Sequence, residues 1–151
     1  MDMKTVALVL LGLGILFLSG CTRSAGEDIA YQASLGKDFQ LKPGEVAQIA
    51  SEKMFIRFLN VTEDSRCPKD ALCVWAGQVS VLANLNVRGQ DLGNFKLTLR
   101  PGEAALSEKT FGSPYGYTVR LISVELPYEK KAGQSIDPVD YIAKFEVISL
   151  E

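Results

Sequence analysis

Histidine is absent from the 151 residues, and its absence removes Ser-His-Asp and Cys-His activation of a nucleophile and every imidazole metal site. Cysteine is scarce, with three residues, and tryptophan occurs once. No block of like charge exists: 16 basic residues face 18 acidic ones, for a net charge of -2. That balance lacks the basic stripe by which proteins hold phosphate backbones, so nucleic acid is not an expected partner. The longest apolar run, Val6 to Leu18, has 13 residues, whereas a bilayer-spanning helix needs about 20. No catalytic residue, metal site or cofactor is expected from this inventory. What remains is one domain's worth of chain, 47% hydrophobic and 9% aromatic, enough to bury an ordinary core.

The N-terminus reads as an address. Lys4 precedes the Val6 to Leu18 run, which has the length of a signal-peptide core, and small residues follow. Its end, Leu18-Ser19-Gly20-Cys21, resembles the lipobox of bacterial lipoproteins. The resemblance implies cleavage before Cys21, a diacylglyceryl group on its thiol and an acyl chain such as palmitate on the new N-terminus. Two or more acyl chains, at about 0.8 kcal/mol per buried methylene, hold a protein stably on a membrane. Residues 1–20 are then a helical signal peptide, 21–37 a lipidated cysteine with a flexible tether, and 38–151 the folded domain. The expected location is the cell envelope. In a Gram-negative cell, Thr22 after the cysteine resembles the sorting pattern for the periplasmic face of the outer membrane.

From Asp38 onward the apolar pattern has period two, broken at short intervals by Gly, Pro and Asn, as in a chain of antiparallel strands. Phe39 and Leu41 open a strand that turns at Pro43-Gly44, and Val46 to Ile49 returns. Met54 to Val61 is apolar on both parities except at Arg57 and Asn60, as in an interior strand. Val79, Val81, Ala83, Leu85 and Val87 alternate with polar residues except at Leu82, and Phe95, Leu97 and Leu99 alternate with Lys96, Thr98 and Arg100. Tyr117, Val119 and Leu121 share one parity, whereas Ile122, Val124 and Leu126 take the other, which predicts a bulge near Leu121 or a strand buried on both faces. Tyr141, Ala143, Phe145 and Val147 form a last strand. About seven or eight strands in such a length make an all-β antiparallel sandwich, with a small barrel as the alternative.

The densest cluster runs from Glu63 to Gly77 and holds Cys67, Cys73 and Trp75. With Cys21 lipidated, Cys67 and Cys73 remain as a pair in an exported chain, which predicts a disulfide. Zinc needs more ligands than two cysteines supply, and a redox pair is usually spaced C-x-x-C. Trp75 has two readings, a core plug against the disulfide or a partner-facing aromatic flanked by Arg66 and Lys69. Arg66 by itself is expected in a surface ion pair with Glu63, Asp64 or Asp70. Tyr115 and Tyr117 lie in a Gly- and Tyr-rich stretch that is either a recognition loop or a tight turn packed on the sheet edge.

The Asp-Ser-Arg-Cys-Pro and Cys-Val-Trp-Ala-Gly elements, with Gly116-Tyr117 and Leu126-Pro127-Tyr128, resemble those of a group of small exported bacterial proteins, many of them predicted lipoproteins. The resemblance runs over most of 38–151 and implies one exported domain without assigning an activity. Function is therefore expected to be non-enzymatic: a membrane-tethered domain that binds an envelope protein, a glycan or a small ligand, or plays a structural part. An inhibitor of exported enzymes, wedging with the braced loop, is the alternative. A hydrolase using Glu63 and Asp64, or Asp137 and Asp140, stands third.

Overall fold

The computed structural model describes residues 29–101, 107–126 and 128–150. The segment expected to be a signal peptide, Cys21, Gly102 and Pro127 lie outside the described residues. Among the described residues there are nine strands: β1 (Ile29–Gln32), β2 (Asp38–Leu41), β3 (Val46–Ile49), β4 (Met54–Asp64), β5 (Val79–Val87), β6 (Gln90–Leu99), β7 (Ser107–Phe111), β8 (Tyr117–Glu125) and β9 (Ile142–Ser149). They form two sheets, one ordered β1-β3-β4-β5-β6 and the other β2-β9-β8-β7. All pairings are antiparallel except β1 with β3. The domain is a β-sandwich, as the period-two pattern predicts.

Alternation decides which side chains fill the space between the sheets. Val79, Val81, Ala83, Leu85 and Val87 of β5 are buried, as are Ala143, Phe145 and Val147 of β9. The two layers meet at Phe58 and Phe145, whose rings pack edge to face with centroids 5.8 Å apart. In β8 the pairing with β9 slips between Leu121 and Ser123, the bulge that the change of parity predicts.

Pro43-Gly44 does form a turn, with Glu45 N–H donating to the Lys42 carbonyl at 3.0 Å and Gly44 at φ 90°. It is not a hairpin, however. β2 pairs with β9 and β3 with β4, so the turn carries the chain from one sheet to the other.

Two elements lie outside the sequence expectation. Of the tether expected over 21–37, the described part is joined to the domain: β1 lies along β3, and Gly36 N–H donates to the Val147 carbonyl at 2.8 Å. β7, Ser-Glu-Lys-Thr-Phe, forms the edge beside β8 and has no buried residue. Its outer face is polar, as an edge exposed to water requires.

Candidate functional site

The β4–β5 and β8–β9 connections emerge at one end of the sandwich and are tied together there. β4 ends in Asp64, whose side chain is 4% exposed. Arg66 folds back on it, with Nε donating to Oδ1 at 2.8 Å and Nη2 to Oδ2 at 2.9 Å. The third guanidinium nitrogen, Nη1, donates to the Val124 carbonyl of β8 in the opposite sheet. From the β8–β9 side, Lys130 Nζ donates to the Asp64 carbonyl at 3.0 Å, and Tyr141 Oη donates to Asp64 Oδ2 at 3.2 Å. Burial alone would raise the Asp64 pKa, but the hydrogen bonds and charge of Arg66, helped by Lys130, outweigh it and hold the carboxyl below its usual range. The same burial, with the Asp64 charge beside it, pushes the Tyr141 hydroxyl up to about 12. Arg66 is thus a clamp between two sheets, which a surface ion pair would not be.

Beyond Asp64 the connection is shaped by its own backbone. Ser65 N–H donates to the Gln78 carbonyl at 2.8 Å, and Gln78 N–H returns a bond to Ser65 Oγ at 3.0 Å. Opposite them, Gly77 has φ 71°, and a Cβ there would stand 1.9 Å from the Ser65 carbonyl oxygen, so only glycine fits. Cys67 and Cys73 are joined in a disulfide with their Cα atoms 5.9 Å apart. Lys69 pairs with Glu129, and Asp70 Oδ1 accepts from Ala132 N–H at 3.0 Å, so the braced loop leans on the β8–β9 connection at two further points.

The loop is too short to hide its apolar residues. Leu72, Val74 and Trp75 are 105%, 88% and 82% exposed. Trp75 is therefore not the core plug of the first sequence reading. The ladder through Ser65, Gln78, Cys67 and Ala76 closes the base of the loop, and the disulfide bridges Cys67 to Cys73 above it, so the chain between is turned out into solvent.

The remaining predicted residues do not join Arg66, Lys69 and Trp75 in one surface. Tyr117 opens β8 at the far end of the sandwich, is 4% exposed, and donates through Oη to Glu52 beyond β3. It is a core residue and not a recognition residue. Tyr115 lies in the adjoining turn, partly buried against the core. Cys21 is outside the described residues.

The acids considered for hydrolysis have other partners. Glu63 accepts from Gln78 Nε2 at 2.8 Å. Asp137 caps a 3-10 turn by accepting from Val139 N–H at 3.1 Å, and Asp140 accepts from Tyr128 Oη at 2.8 Å. Among the described residues, no group of three or more Cys, Asp or Glu is placed to hold a metal ion, and no buried side-chain nitrogen or oxygen lacks a hydrogen-bond partner. A groove of about 440 Å³ runs between the two connections past Pro68 and Tyr128. The cations along it, Arg66, Lys69 and Lys130, are engaged by Asp64, Glu129 and the Asp64 carbonyl. The groove thus has few polar groups to offer a ligand, whereas the loop tip offers exposed apolar area.

Sequence reading missed Leu72 and Val74. Their signal was present in Leu-Cys-Val-Trp, an apolar run inside a loop whose ring is too small to fold over it. Comparison with protein-family models, curated proteins and solved structures gives no significant match.

Proposed function

We propose that the protein is a lipid-anchored, exported domain of the cell envelope that acts by contact and not by turnover, with the disulfide-braced loop as its contact element. The observation that carries this reading is a division of labour within Glu63 to Gly77. Asp64, Ser65, Arg66, Cys67, Asp70, Cys73 and Gly77 all have partners or backbone positions that build the loop. Leu72, Val74 and Trp75 build nothing and face solvent. Exposed aromatic and aliphatic side chains on a rigid support are what contact surfaces use, because little conformational freedom is lost on docking. The disulfide suits an oxidising compartment, and the Leu-Ser-Gly-Cys element supplies the anchor.

Fractionation tests the anchor. The full chain is expected in the membrane fraction, and Cys21→Ser is expected to release it; unchanged retention of the variant removes the lipoprotein assignment. The rigid, protruding loop also favours a second reading, a wedge that inhibits an exported enzyme. In that case the purified protein lowers the activity of an envelope hydrolase, and Trp75→Ala abolishes the effect. Turnover lost on changing a single carboxylate would overturn the non-enzymatic reading.

A further inference from the structure

Which surface the loop meets follows from where the chain enters the domain. β1 is parallel to β3, and Ile29 stands opposite Val46, which pairs with Arg57 of β4. β1 therefore runs away from the end of the sandwich that carries Asp64, and Ile29 is its residue nearest that end. Seven steps along β4 separate the level of Arg57 from Asp64, about 22–24 Å at a strand's rise. Eight steps separate Cys21 from Ile29, and a chain of that length spans at most about 26–29 Å. With this end turned toward the anchoring surface, the tether is barely longer than the distance it covers, so the domain is held against the surface.

The same end carries the apolar exposure. Among the described residues, the four large apolar side chains that are more than 60% exposed are Leu72, Val74, Trp75 and Val139. The first three are on the β4–β5 loop and Val139 is on the β8–β9 connection that is bonded to it. The opposite end is closed by the Lys53 and Arg88-Gly89 turns.

We infer that the tip formed by Leu72, Val74 and Trp75 inserts into the interfacial layer of the lipid bilayer that holds Cys21, and so fixes the orientation of the sandwich on the membrane. The inference rests on the anchored reading above. Tryptophan suits the headgroup level, where its ring meets acyl chains and its indole N–H stays hydrated. The tip is small, so it orients a protein already tethered, and the acyl chains supply retention.

Trp75 is the sole tryptophan, so its fluorescence reports the tip without labelling. The full chain, purified with its acyl groups, is reconstituted on phosphatidylcholine/phosphatidylglycerol vesicles and compared with the same protein in detergent-free solution as Cys21→Ser. On vesicles, Trp75 emission is expected to move to shorter wavelength, to be quenched by lipids brominated on the acyl chain and to lose access to acrylamide. Leu72→Ser with Val74→Ser is expected to reverse these changes while flotation with the vesicles persists. Vesicle-bound protein whose Trp75 stays acrylamide-accessible overturns the insertion and leaves the anchor standing, with the tip free for a protein partner. Failure of the wild-type chain to float overturns the anchored reading and this inference with it.

Discussion

Arg66 holds Asp64 with two parallel hydrogen bonds, and the same guanidinium reaches the Val124 carbonyl, so one side chain joins the end of β4 to the opposite sheet. The pair is unequal in exposure, since the Arg66 side chain is 26% exposed and that of Asp64 only 4%. Loss of the arginine leaves a buried carboxylate with Lys130 as its remaining cation, its Nζ 3.7 Å from Oδ1.

Arg66→Ala is accordingly expected to destabilise the domain by about 2–4 kcal/mol, because a buried charge that loses its partner costs far more than a surface pair contributes. Urea unfolding measures it. A change within about 0.5 kcal/mol, the usual range for surface substitutions, would mean that Asp64 is hydrated in solution.

The pH dependence has two limbs. The Asp64 carboxyl titrates below its ordinary 3.8 in the fold, so the stability it contributes is present above that value and is lost as pH falls through the folded pKa. Tyr141 is raised from 10.0 to about 12, so its contribution is complete below pH 10 and is lost as pH rises toward 12. Urea midpoints of Tyr141→Phe are expected to fall less steeply over the alkaline window than those of the wild type, and those of Asp64→Asn less steeply below pH 4. Tyr117 and Tyr128 are also raised, by hydrogen bonds to Glu52 and Asp140, so Tyr141→Phe removes only part of the alkaline slope.

Gly77→Ala separates backbone crowding from backbone conformation. Gly77 and Gly133 both have positive φ, but a Cβ at Gly133 meets nothing within 4 Å, whereas at Gly77 it collides with Ser65. Gly133→Ala is expected to cost about 1 kcal/mol and Gly77→Ala about 3 kcal/mol or more, read as a difference between thermal or urea unfolding curves. Equal costs would show that the Ser65 to Gln78 ladder yields to the methyl group.

Much of the sandwich was legible because one face of each long strand is buried. Val79 to Val87 and Tyr141 to Val147 announce themselves by alternation, and even the β8 bulge shows as a parity change after Leu121. β7 was not legible, since Ser107–Phe111 lies on an edge and buries no side chain that would mark it. Turn chemistry at Pro43-Gly44 shows that the chain bends but not whether it stays in the same sheet, a choice made by the distant β9. The candidate site divides in the same way. The disulfide follows from cysteine count, whereas the burial of Asp64 depends on Lys130 and Tyr141, more than sixty residues away. Tyr117 carries both readings in the sequence, the end of a Gly- and Tyr-rich stretch and the start of a strand, and its shared parity with Val119 and Leu121 is the one that decides its burial.

The pairing of β2 with β9 sets an order on assembly. Phe39 lies opposite Phe145, about a hundred positions later, so the four-stranded sheet cannot close until almost the entire chain is free to fold. Contacts of such long sequence separation form slowly, because loop closure precedes the reward of packing. A chain that crosses a membrane N-terminus first would therefore stay open through most of its passage, and the sandwich would lock only when its last strand arrives.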